Sequence, residues 1–91
     1  MAKVIVKVKI MPTSPDVDLS TIEADIKAVL DKDESQFHVA TKIPIAFGLS
    51  SLEVVFLREE SKGNTDDIEE AFSKLKGVES VDVIDVRREF G

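Results

Sequence analysis

Val4, Val6, Val8 and Ile10 alternate with Lys3, Ile5, Lys7 and Lys9 at the start of the chain. A period of two puts the first set on one face of a strand and the lysines on the other. Met11-Pro12 ends this strand, because proline donates nothing to a ladder. Two further runs repeat the period. Phe37, Val39 and Thr41 open a second strand that reaches about Ile45. Leu52, Val54 and Phe56 alternate with Glu53, Val55 and Leu57 in a third. A fourth covers residues 78–86, with Val81 and Val83 on one face and Asp82, Ile84 and Val86 on the other.

Between these runs the period changes to that of a helix. Leu19, Ile22, Ile26, Val29 and Leu30 fall on one helical stripe, so residues 19–30 are predicted to be amphipathic and helical. Asp18 stands where an N-cap belongs, and residues 31–35 form a polar turn. Ile68, Ala71, Phe72 and Leu75 share the stripe of a second helix, capped by Asn64 or Thr65. Asp66, Asp67, Glu69 and Glu70 suit its positive N-terminal dipole, and Gly77 suits its C-terminal end.

The order is β-α-β-β-α-β. With right-handed crossovers, the simplest closed arrangement is an α+β ferredoxin-like sandwich. It has a four-stranded antiparallel sheet with two helices on one face. Residues 1–91 are expected to form one domain, in keeping with the length. Val4, Val6, Val8, Leu52, Val54, Phe56, Val81 and Val83 would face the helices. The open face would carry Lys3, Ile5, Lys7, Lys9, Glu53, Val55, Leu57, Asp82, Ile84 and Val86. That face is either ordinary cross-strand pairing of charges over apolar neighbours or a surface for a partner.

Composition removes most chemistries. Eighteen acidic residues against twelve basic give a net charge of −6, which disfavours a phosphate-backbone partner such as nucleic acid. There is no cysteine, and His38 is the one histidine, so neither a thiolate nor a histidine-rich metal site is expected. Gly48, Gly63, Gly77 and Gly91 stand apart, without the spacing of a phosphate loop. Neither a signal peptide nor a membrane span is visible in the sequence. The expectation is a cytoplasmic protein that is monomeric when free, binds no cofactor and catalyses no covalent step.

Two features remain. Residues 44–49, Pro-Ile-Ala-Phe-Gly-Leu, are apolar where a hairpin turn is normally polar. Such a turn is either packed on the core or displayed, with Phe47 at its tip. Arg87 and Arg88 follow the last strand, as a solvated end or as guanidinium forks for an acidic or phosphate group.

The residues resemble the guanine-nucleotide exchange domain of translation elongation factor 1-beta in its short archaeal form. Met11-Pro12 after the first strand, Asp16 and Asp18 before the first helix, and residues 44–49 carry the resemblance. So do Thr65-Asp66 with Glu69-Glu70, and Ser80-Val81-Asp82-Val83. The resemblance spans nearly the whole chain, and the order and spacing of the motifs are its specific part. It implies a ferredoxin-like fold and a function: speeding GDP release from the GTPase elongation factor 1-alpha so that GTP can load. It implies that Phe47, flanked by Gly48 and Leu49, docks on a second domain of that GTPase, with Ile45 and Leu49 expected to pack inward and hold the turn. It places Arg88 where eukaryotic members have a near-terminal lysine reaching toward the Mg²⁺ and phosphate region. Here the chain departs from the pattern, with Arg87-Arg88 followed by Glu89-Phe90-Gly91. A small-molecule-binding regulatory module of the same fold is the alternative function.

Overall fold

Strand alternation and two amphipathic stripes give the expected order in the computed structural model, which describes residues 3–88. The elements are β1 (Lys3–Pro12), α1 (Leu19–Asp33), β2 (Gln36–Pro44), β3 (Ser50–Glu59), α2 (Asp66–Ser73) and β4 (Val78–Arg88). A single 3₁₀ turn, Glu60–Lys62, links β3 to α2. The sheet order is β2-β3-β1-β4, and each neighbouring pair is antiparallel. This is the α+β ferredoxin-like sandwich.

The alternation of β1 and β3 meets in register: Val6 lies opposite Phe56, Val8 opposite Val54, Ile10 opposite Leu52. All six side chains are buried, together with Ile22, Ile26 and Leu30 of α1 and Ile68 and Phe72 of α2. Both helices therefore cover the same sheet face. Phe56 and Phe72 meet edge to face with ring centroids 5.9 Å apart, an arrangement that adds to area burial. The opposite face keeps Ile5, Val55 and Leu57 half-buried. Lys7 and Glu53 pair across it at 3.4 Å, so charge pairing flanks the apolar residues there.

Three boundaries differ from the sequence reading. α1 runs on to Asp33, because its stop is Glu34 in the left-handed region at φ 62, where glycine would be the usual signal. The Glu34 and Ser35 amides close that end on the carbonyls of Asp31 and Leu30. α2 ends at Ser73, four residues before Gly77. Gly77, at φ 87, turns the chain into β4, and a Cβ there would fall 2.9 Å from Val17 Cγ1.

β4 extends two residues further than expected, through Arg88. A register shift explains how its faces are set. Val83 lies opposite Val8, but Asp85 lies opposite Lys7, so Ile84 is the extra residue of a bulge. Beyond it the alternation inverts. Val86 lies opposite Val6 on the helix-facing side, not on the open face as the simple alternation implied. It is nonetheless 50% exposed. Among the described residues, no helix is long and apolar enough to cross a membrane.

Candidate functional site

Antiparallel order gathers the singled-out residues at two opposite ends of the sheet. Pro44 lies opposite Ser50, and Pro12 opposite Val78, so the β2–β3 turn shares one end with the loop leading into α1. Val4 lies opposite both Arg58 and Arg88, which places the arginines at the other end. The molecule is 42 Å along its longest axis. Phe47, Gly48 and Leu49 are thus together, and Arg87 and Arg88 are remote from them.

At the first end, Leu49 N–H donates to the Ala46 carbonyl at 3.1 Å and Ile45 N–H to the Leu49 carbonyl at 2.8 Å. These bonds close a tight hairpin turn. Phe47 at φ 59 and Gly48 at φ 77 are consecutive left-handed residues, the φ pair that a type I′ turn demands. Asn-Gly is the usual solution, since a bulky side chain in that region is strained. Gly48 suits its place, and Pro15 leans on it, 3.9 Å from where a Cβ would sit. Phe47 does not suit its place on folding grounds, and its side chain is 96% exposed. Leu49 is half-buried, and its amide and carbonyl both bond within the turn. Ile45, expected from the sequence to pack inward, is 46% exposed instead.

At the second end, Arg87 and Arg88 belong to β4 and are both exposed to solvent. Being adjacent on a strand, they take opposite faces. Arg87 lies opposite Ile5 on the open face and its Nε reaches Asp85 Oδ2 at 2.8 Å. Arg88 lies opposite Val4 on the helix-facing side and bonds Glu60. That bond raises the Arg88 pKa further and lowers that of Glu60. Residues 89–91, the Glu-Phe-Gly that departs from the lysine pattern, lie outside the described residues. His38 is exposed beside a bulge in β2. No group of three or more potential metal ligands occurs among the described residues.

A model of the EF-1 guanine nucleotide exchange domain matches residues 5–88, which span both ends. The chain belongs to that family. Its function is guanine-nucleotide exchange on elongation factor 1-alpha in translation elongation. The exchange domain is 46% identical over 88 residues to elongation factor 1-beta of Methanobrevibacter smithii, covering 97% of this chain and 98% of that one. It is 42% identical to elongation factor 1-beta of Methanosarcina barkeri, covering 97% and 99%. The Methanocaldococcus jannaschii protein of the same name is 41% identical, covering 94% and 97%. Among solved structures, the C-terminal domain of the Mycobacterium tuberculosis MgtC protein superposes with a TM-score of 0.60 at 15% identity, covering 98% of this chain and 88% of that one. The ACT domain of Chlorobium tepidum GTP pyrophosphokinase does so at 0.56 and 16%, covering 88% and 96%. At such identities the likeness is one of fold.

The exchange domain holds a buried charged residue that the sequence reading passed over. Arg58 is 1% exposed, beneath the start of α2. Its Nη2 donates to both Asp67 oxygens at 2.9 and 3.1 Å, and its Nε lies 3.9 Å from Asp33 Oδ2. Among the described residues, Nε and Nη1 have no hydrogen-bond partner. The signal was available: Leu52, Val54 and Phe56 face the helices, and the next residue of that alternation is Arg58.

Hydrogen bonding from Arg58 lowers the Asp67 pKa. A carboxylate whose folded pKa is depressed stabilises the fold above its unfolded value of about 3.9. That contribution is lost as pH falls through the folded value. Tm is therefore expected to fall as pH drops below about 5. Asp67→Asn should reduce the slope of that fall; an unchanged slope would remove Asp67 from the acid transition.

Proposed function

We propose that the chain acts as one exchange-factor domain that clamps elongation factor 1-alpha at two separate places through its two ends, without covalent chemistry. Phe47 is the anchor of the first contact. The observation that carries this is a fully exposed aromatic ring on a left-handed backbone. Such strain, of order 1–3 kcal/mol, persists where function supports it. A ring displayed in this way gains nothing for the fold, and a ring that fills a partner's pocket is a typical interface hot spot. Gly48 and Leu49 hold the turn that presents it. Beside the turn, a polar cleft lined by Ser14, Asp18, Lys42 and Ser50 offers hydrogen-bonding groups to the same partner domain.

Arg87 and Arg88 form the second contact. GDP is held in such a GTPase by a phosphate-binding loop and Mg²⁺. A guanidinium brought toward that region competes with the metal for oxygen ligands and repels it. By reciprocal linkage, a partner that prefers the nucleotide-free GTPase must weaken nucleotide binding by the same factor. A shift of ~10⁴-fold needs about 5.5 kcal/mol of differential binding, within reach of one aromatic anchor and one charged contact. A molecule 42 Å long has the reach to touch two domains at once.

The same reading makes the free domain a cytoplasmic monomer with no direct nucleic-acid contact. Its net charge of −6 supports the last point. The test is release of a labelled GDP from purified elongation factor 1-alpha. Faster release in the presence of the chain is expected, and an unchanged rate would overturn the proposal.

A further inference from the structure

Glu60 grips Arg88 on one edge of the guanidinium. Nε donates to Oε2 at 2.5 Å and Nη2 to Oε1 at 2.6 Å. A two-point fork fixes the plane of the group as well as its place, which one hydrogen bond does not. Glu60 is itself well placed, because it opens the 3₁₀ turn that leaves β3 two residues after buried Arg58. The grip is not there for the fold. The Arg88 side chain is 60% exposed and that of Glu60 39%, and exposed ion pairs contribute little to stability.

Among the described residues, the fork also leaves an edge unused. A guanidinium carries five N–H donors. With Nε and one hydrogen of Nη2 engaged, the edge formed by Nη1 and the second Nη2 hydrogen has no partner among the described residues. Arg87 differs on each count: it faces the other side of the sheet and is tied to Asp85, its near neighbour on the same strand.

We propose that Glu60 is a positioning residue for nucleotide exchange, holding Arg88 with its Nη1/Nη2 edge turned outward toward acceptor oxygens of the GTPase. This rests on the reading of Arg88 as a contact to that GTPase. A side chain ordered before the encounter loses less freedom on binding than one that must be ordered by it. Glu60 thus acts through Arg88 and does not itself need to touch the partner.

Four proteins test this: the native chain, Glu60→Gln, Arg88→Ala and the double variant. Glu60→Gln keeps the volume and one acceptor but removes the charge and the fork. The readout is kcat/KM for GDP release from elongation factor 1-alpha, with Tm measured alongside. Glu60→Gln is expected to lower kcat/KM about threefold, the measure of an exposed ion pair, with Tm unchanged. Arg88→Ala is expected to lower it at least as far, and the double variant to match Arg88→Ala. A slow Arg88→Ala beside a Glu60→Gln as fast as native, or faster, would overturn the positioning role and leave Arg88 as a contact. A further drop on adding Glu60→Gln to Arg88→Ala would show Glu60 acting on its own, which also overturns it. An Arg88→Ala protein as fast as native would remove both the contact and the residue proposed to position it.

Discussion

Phe47→Ala is expected to slow exchange on elongation factor 1-alpha about thirtyfold while leaving the fold as stable as before. The figure corresponds to about 2 kcal/mol, the threshold of an interface hot spot. The absence of a folding effect follows from exposure. At 96% exposed, the ring removes no surface from water in the free protein. Alanine inherits the left-handed backbone at φ 59, so the strain of the turn stays. Phe47→Gly relieves it and should raise stability by up to about 1 kcal/mol, as a residue does where it accepts a positive φ freely. Chemical denaturation and GDP-release kinetics on the same preparations separate the two effects. A Phe47→Ala protein with lowered stability and near-native exchange would make the turn part of the core and remove it from the interface.

Arg58→Ala is expected to destabilise the domain by about 3 kcal/mol, within the range that truncating a large, fully buried side chain to alanine costs. The side chain is among the largest that are fully buried. Its loss opens a cavity beneath α2 and leaves Asp33 half-buried, with the Ser35 hydroxyl donating to it and Lys62 at 3.9 Å as its remaining cation among the described residues. Arg58→Met should recover more than half of that loss. Methionine refills the space of the stem, and with it go the two buried nitrogen atoms that have no partner among the described residues. Replacing a buried ion pair by an apolar side chain of similar volume is often close to neutral. Urea denaturation measures both. If Met were no better than Ala, the ion pair itself, not the packing, would be what Arg58 contributes.

The fold was legible because two periods suffice to write it. Val6, Val8 and Ile10, Leu52, Val54 and Phe56, and the stripes Ile22-Ile26-Leu30 and Ile68-Phe72 are buried, with Val4 half-buried against them. Their order then leaves one simple topology. What the alternation missed is what alternation does not encode. The bulge at Ile84 adds one residue and reverses the faces beyond it, so Val86 and both arginines change sides relative to a regular strand. The end of α1 was missed because a glutamate occupies the left-handed stop. At the candidate site, the apolar character of residues 44–49 was plain in sequence. Whether Phe47 was packed or displayed depended on a backbone conformation that Phe-Gly does not announce as Asn-Gly would. The separation of Phe47 from Arg88 followed from strand order alone. The pairing of Arg88 with Glu60 joins residues 28 apart in sequence and has no local signature.

The clamp is tested most directly by the rate of GDP release from elongation factor 1-alpha with the native chain, Phe47→Ala, Arg88→Ala and the double variant. The native chain should accelerate release, each substitution should reduce the acceleration, and the two losses should multiply. Distant contacts with no shared partner add in free energy, and these lie at opposite ends of the sheet. No acceleration by the native chain, or a double variant no slower than the weaker single one, would contradict two separate contacts on one GTPase.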